Sequence, residues 1–331
     1  MSVLDKFKQY IPEVVHAMEE TVPRNREPHT VYDPIWDFLD RGGKRIRPIL
    51  FMTSCRAVGG EPAPYMGVAA AIELFHNFTL IHDDIEDHSD LRRGQPTLHV
   101  KYGLPLAINA GDGLLIYSYK ALLESGLPLK KQKEIFDLLT DSYIKVLEGQ
   151  GYDIGWETDK VWDLTEDDYF KMVQGKTGAL IAAACAAGGI VGTNRKRPVR
   201  ALYDFGMAVG VAFQIQDDIL NIVGDSSKFK KTLREDITEG KRTLMVIRTL
   251  NRCTPKEREF LTQTLDEHTT DPDKIDRVVR LFEKYKAIQY ADKKAKSIVL
   301  RAKKKLDRTL PDSEAKGLLL ELADFFINRE Y

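Results

Sequence analysis

Leu4-Asp-Lys-Phe7-Lys-Gln-Tyr-Ile11-Pro-Glu-Val14-Val15-His-Ala-Met18 carries its apolar residues at three- and four-residue steps. That period gathers them into one buried stripe along an α-helix. Helix signals continue down the chain. Thr165-Glu-Asp-Asp168 places a capping hydroxyl before an acidic first turn. Thr254-Pro255 puts a cap residue in front of proline at the first helical position. Runs of alternating β-branched residues between hairpin turns are hard to find, so the expected fold class is all-α. The breaks at Gly59-Gly60-Glu-Pro62, Gly126-Leu-Pro128, Gly192-Thr-Asn-Arg-Lys-Arg-Pro198 and Asp271-Pro272 are short loops rather than linkers. A length of 331 residues gives a soft prior of two domains, but no long polar stretch separates them. The expectation is one domain over residues 1–331.

The 49 Lys+Arg nearly cancel the 50 Asp+Glu, leaving a net charge of -1. This excludes a general nucleic-acid binder, which would carry a basic surplus. With 43% hydrophobic and 9% aromatic residues the chain can bury a core. Cys55, Cys185 and Cys253 form no CxxC pair, which points to a reducing compartment. The N-terminus lacks the apolar core of a signal peptide, and the most apolar stretch, Ala179 to Val191, falls short of a ~20-residue span. The expectation is a cytoplasmic protein with no stable membrane insertion. Lys284 to Arg308 is strongly basic and reads as the solvated face of a helix.

The chemistry begins at Leu80-Ile-His-Asp83-Asp84-Ile-Glu-Asp87. On a helix Asp83 and Asp87 share a face one turn apart, with Asp84 turned about 100° away. Stacked carboxylates of this kind suit a hard ion such as Mg²⁺, which keeps several waters and bridges to phosphate oxygens. Phe213-Gln214-Ile-Gln-Asp217-Asp218-Ile-Leu-Asn221 repeats the arrangement, with Asp225 four residues further on. Two such clusters facing each other would hold several ions and a diphosphate. The cations come from separate segments. Gly42-Gly43-Lys44-Arg45-Ile-Arg47-Pro48 combines backbone access with phosphate-binding side chains. Arg92 and Arg93 follow the first cluster, and Lys176, Lys231 and Lys241 add isolated charges near the second. Together they exceed what one diphosphate requires, which implies two diphosphate sites.

These motifs resemble those of the trans-isoprenyl diphosphate synthases, the polyprenyl synthetase family, from about Pro34 to the C-terminus. The similar runs are GGKRIRP, ELFHNFTLIHDDIEDHSDLRRGQPT, EGQGYDI, KTGAL, FQIQDDILN and EDITEGKRTLM, with LPDSEAKGLLLELADFFINRE as a closing helix. The resemblance implies a helical bundle around a central cavity, a homodimer, and head-to-tail condensation of isopentenyl diphosphate onto an allylic diphosphate. It implies that Asp83, Asp87 and Asp217 ligate about three Mg²⁺, for which Mn²⁺ can substitute, with Asp84 and Asp218 in support. Arg92, Lys176, Lys231 and Lys241 would contact the allylic diphosphate. Lys44, Arg47, His76 and Arg93 would hold isopentenyl diphosphate. Gln214 and the Thr177 carbonyl would face the developing carbocation. His76 lies nearly two helical turns before Asp83 and projects from the same side.

One position departs from the family pattern: the second motif has Asn221 where an Asp is usual. Asp217, Asn221 and Asp225 loosely match the metal triad of terpene cyclases, which makes a cyclase the competing enzyme. A noncatalytic subunit of a heteromeric synthase is the reading from another class. Product length is read at Thr79 and Phe78, four and five residues before the first Asp. A bulky ring at Phe78 with a small residue at Thr79 looks like the geranylgeranyl (C20) pattern, with C15 or C25 as the alternatives. Phe75 would form a deeper floor one turn further on, but an ordinary core position is the favoured reading for it.

Overall fold

The computed structural model describes residues 7–224 and 234–328. The protein is 77% helical. Among the described residues the only strands are the two-residue pair Leu91–Arg92 and Gln95–Pro96. The opening stripe forms the helix Ile11–Thr21, which buries Val14, Ala17 and Met18, with Phe7 buried just before it. Leu4 lies outside the described residues. Both expected caps are present. Thr165 exchanges hydrogen bonds with Asp168, and Thr254 does so with Glu257 ahead of a helix that starts at Pro255.

The chain divides into two compact units. One takes the residues up to Thr140 together with Ala183–Tyr203 and Leu306–Leu322; the other takes Asp141–Ala182, Asp204–Lys305 and the residues from Ala323.

At the centre of the first unit is the helix Met66–Glu86. Every residue from Val68 to Phe75 is buried, so all sides of this stretch are covered by protein. The helix Leu104–Leu123 packs antiparallel against it, with Gly67 beside Ala121 and Gly111 beside His82. A methyl group on Gly67 would lie 2.7 Å from the Ala121 carbonyl oxygen, which shows how closely the two backbones pass. In the second unit the helices Leu129–Thr158 and Lys196–Val223 contribute their later turns.

The apolar stretch near Ala179 belongs to a longer helical run than its composition suggests. It is continuous from Glu166 to Gly192, 27 residues, because a π-helical turn at Gln174–Gly178 joins the helices on either side. By length and composition this run could cross a bilayer, but 89% of its apolar window is buried inside the protein.

Candidate active site

In the first unit, the helix Met66–Glu86 stops at the acidic cluster. His88 takes a left-handed conformation (φ 51°), and the Asp87 and Ser89 amides donate to the Asp83 and Asp84 carbonyls. Asp83 and Asp87 are left partly exposed at this helix end, whereas Asp84 is buried. The Asp84 carboxylate receives Arg92, with Nε at 2.7 Å and Nη2 at 2.5 Å. Arg92 stands on the small hairpin, paired across it with Gln95. The turn of that hairpin is Arg93-Gly94, both at positive φ (56° and 78°), as a two-residue type I′ turn requires. Burial opposes the Arg92 charge, but Asp84, Asp83 and Asp87 outweigh it and raise the pKa of the guanidinium.

The hairpin brings Arg93 to the glycine pair. Its Nη1 donates to the Gly42 carbonyl, and a methyl group on Gly43 would lie 3.1 Å from Nη2. Arg47 donates to His76 Nε2 at 3.0 Å. Burial, together with the Arg47 and Arg93 charges, pushes the His76 pKa well below its ordinary value. A neutral His76 accepting through Nε2 carries its proton on Nδ1. Burial also lowers Arg47 and Arg93 to about 10. Beneath this cluster lies an ion pair that the sequence reading did not identify. Arg45 and Glu73 meet at 2.8 Å, each side chain 2% exposed. Arg45 also donates to the Leu39 carbonyl, and Asn77 donates to Glu73. The pair fastens the glycine loop to the helix bearing the first acidic cluster.

The candidate chain-length residues lie on that same helix. Phe75 is fully buried and Phe78 is 7% exposed, with ring centroids 5.4 Å apart. Thr79 is partly exposed, its hydroxyl donating to the His76 carbonyl at 2.8 Å.

In the second unit, Asp218 is 8% exposed and bonded on both oxygens. Tyr169 donates its hydroxyl at 2.7 Å and Gln214 its amide at 2.9 Å, while Thr177 donates to the Gln214 amide oxygen at 2.7 Å. Burial pushes the Asp218 carboxyl up to about 7 against these hydrogen bonds, and the charges of Asp217 and Asp153 add to the rise. Lys176 stands in the π-helical turn and reaches Asp153 at 2.6 Å, with Lys241 3.6 Å from the same oxygen. The turn is admitted by Gly149, where a methyl group would fall 2.1 Å from the Lys176 amide nitrogen. A π-helical turn at such a place is a common feature of functional sites. Asn221 is buried and turned to structural use, its side-chain oxygen accepting the Asp236 amide at 3.1 Å. Lys231 and Asp225 lie outside the described residues.

Tyr169 and Asp153 were missed by the sequence reading. Asp153 sits within EGQGYDI and was open to notice as an acid beside glycines; Tyr169 had no signal beyond its place in a capped helix. Among the described residues, no three His, Cys, Asp or Glu side chains converge to hold an ion by themselves. The donor chemistry still fits a hard cation. Asp83 and Asp87 offer carboxylate oxygens one turn apart at a partly exposed helix end. This suits an ion that completes its shell with water and phosphate oxygens rather than one caged by protein.

Helix-borne carboxylates with partly buried cations around them are the equipment of a protein that handles metal-chelated polyanions. Residues 28–282 match the family described as Polyprenyl synthetase. A short chain isoprenyl diphosphate synthase from Methanothermobacter thermautotrophicus is 40% identical over 331 residues, covering 100% of both chains. A geranylgeranyl diphosphate synthase from Sulfolobus acidocaldarius is 35% identical over 98% of each. Among solved structures, the geranylgeranyl pyrophosphate synthetase from Pyrococcus horikoshii superposes with a TM-score of 0.93 at 34% identity, covering 99% of this chain and 98% of that one. The chain belongs to the polyprenyl synthetase family and is a trans-prenyltransferase with the all-α isoprenoid synthase fold. The family depends on divalent metal and acts on isoprenoid diphosphates.

Proposed function

We propose that this protein condenses isopentenyl diphosphate head-to-tail with dimethylallyl, geranyl and farnesyl diphosphates, and releases all-trans geranylgeranyl diphosphate. The observation that carries the reading is the basic cluster of the first unit. Arg47 and Arg93 are drawn down to about 10 by burial, beside a His76 that burial, together with their charges, keeps neutral. Cations held this way are stabilised by an arriving polyanion. We assign Lys44, Arg47, His76 and Arg93 to isopentenyl diphosphate. Arg92, Lys176, Lys231 and Lys241 are assigned to the allylic diphosphate.

Asp83, Asp87 and Asp217 would hold about three Mg²⁺, which when bound supply Lewis-acid stabilisation of the departing diphosphate. The lysines and arginines oppose the same negative charge as the allylic C–O bond breaks. Gln214 and the Thr177 carbonyl present oxygen dipoles to the allyl cation, and Asp218 with Tyr169 keeps the Gln214 amide in its orientation. Attack by the isopentenyl double bond makes the new C–C bond, and a proton then leaves to the released diphosphate. Holding the two substrates side by side is worth several kcal/mol.

Both units are taken as one synthase domain over residues 1–331, supported by a family match that runs through both. A homodimer is supported by a row of apolar side chains left exposed on the helix Leu104–Leu123. The free cysteines Cys55, Cys185 and Cys253 support a cytoplasmic setting.

Product length rests on Phe78. Phe78→Ala removes the ring five residues before Asp83, and the main product is expected to lengthen by at least one isoprene unit. An unchanged product distribution counts against Phe78 as the stop. The assay for the whole reading uses the purified chain alone with Mg²⁺, radiolabelled isopentenyl diphosphate and each allylic primer in turn. Linear C20 diphosphate that disappears with EDTA is the expected result. Cyclic hydrocarbon would indicate a cyclase, and no product from the isolated chain would overturn the synthase reading.

A further inference from the structure

Phe78 does not stand alone. His82, one helical turn further on, lays its imidazole against the phenyl ring, with centroids 4.6 Å apart and planes tilted by 59°. Phe75, one turn back, also lies against it, with ring centroids 5.4 Å apart. His82 is itself backed by the neighbouring helix. A methyl group on Gly111 would sit 2.4 Å from both Cδ2 and Nε2 of the imidazole, so the ring fills the space that the missing side chain leaves. Nε2 is buried without a hydrogen-bond partner, and the nearest carboxylate oxygen, on Asp112, is 3.6 Å away. The imidazole is therefore seated by shape, between Gly111 and Phe78, rather than by a polar bond.

We infer that His82 is a positioning residue for product length: seated on Gly111, it pins the Phe78 ring and makes the stop rigid. This rests on the reading of Phe78 as the residue that ends the growing tail. A phenyl ring packed against both Phe75 and His82 cannot swing to a second rotamer without giving up those contacts. With the imidazole gone, the ring gains room on one side and yields to a tail one isoprene unit longer. A residue that only packed the core would change stability and leave the product pattern alone.

Product chromatography on wild type, Phe78→Ala, His82→Ala, the double variant and Gly111→Ala tests this, with circular dichroism to confirm that each is folded. Gly111→Ala disturbs the same contact from the other helix without touching the residue beside Asp83. His82→Ala and Gly111→Ala are each expected to raise the share of product one isoprene unit longer, by less than Phe78→Ala does. The double variant is expected to match Phe78→Ala, since no ring remains to be positioned. A lengthened Phe78→Ala product, together with wild-type patterns from folded His82→Ala and Gly111→Ala, overturns the role of His82 and leaves Phe78 standing. A double variant that goes beyond Phe78→Ala makes His82 a stop in its own right and overturns the positioning role. No change from Phe78→Ala sinks the stop itself, and the inference with it.

Discussion

Around Asp153 two ammonium groups share one carboxylate that is itself buried. Burial alone would raise its pKa, but Lys176 and Lys241 outweigh it and hold the group at about 2, against an ordinary 3.8. A pKa lower in the folded state means that the ionised group stabilises the fold above about pH 4. That contribution is lost as the pH falls from about 4 through about 2. The gap corresponds to roughly 2 kcal/mol. Asp153→Asn is therefore expected to lose about that much stability at pH 7 in urea denaturation, and its deficit against wild type should shrink between about pH 4 and pH 2. A deficit that stays constant over that window would remove the ion pairs as its cause. The two lysines were legible in the sequence as isolated cations. Their pairing with Asp153 was not, because it depends on Gly149 admitting the Lys176 backbone, and that contact joins segments with no periodic relation in the chain.

The helix Met66–Glu86 shows the same division between what a pattern reveals and what only contact reveals. Its helical period and its terminal carboxylates are plain in the sequence, and so is the phosphate-binding character of the glycine loop. Arg45 and Glu73 were not, since a charged residue amid an apolar run reads as a surface position until burial is known. The π-helical turn and the small hairpin were missed for related reasons. Neither hydrophobic period nor turn composition marks a π turn, and Arg93 is a poor predictor of a positive φ. The buried pair allows a test at this scale. Glu73→Gln leaves Arg45 without its charge partner in a site where both side chains are 2% exposed. Removing one member of such a pair typically costs about 3–5 kcal/mol. The urea midpoint should fall accordingly, and replacing both residues by apolar ones should recover much of the loss. A Glu73→Gln protein with the wild-type midpoint would show that the pair contributes no net stability.

For the whole molecule, a net charge of -1 conceals a segregation that the local clusters make visible: helix-borne carboxylates with partly buried cations around them. The same contrast between composition and placement bears on assembly. On the helix Leu104–Leu123, Leu104, Ile108, Ile116 and Leu123 fall within an arc of about 120° at the angular step of an α-helix. In the sequence they are indistinguishable from Leu114 and Ala110, which are buried, yet Ile116 is 64% and Leu123 61% exposed. A stripe of large apolar side chains on one helix, all within the first unit, is the kind of surface that self-association covers. In a twofold dimer each substitution enters the interface twice, so one charge suffices as a probe. Ile116→Asp is expected to convert the proposed dimer to a monomer in light scattering at micromolar concentration, because a carboxylate without a partner is strongly disfavoured in an apolar interface. The far-ultraviolet circular dichroism should stay helical, since the side chain lies outside the core of its own subunit. A wild-type protein that runs as a monomer, or an Ile116→Asp protein that stays dimeric, would place the subunit contact elsewhere or remove it.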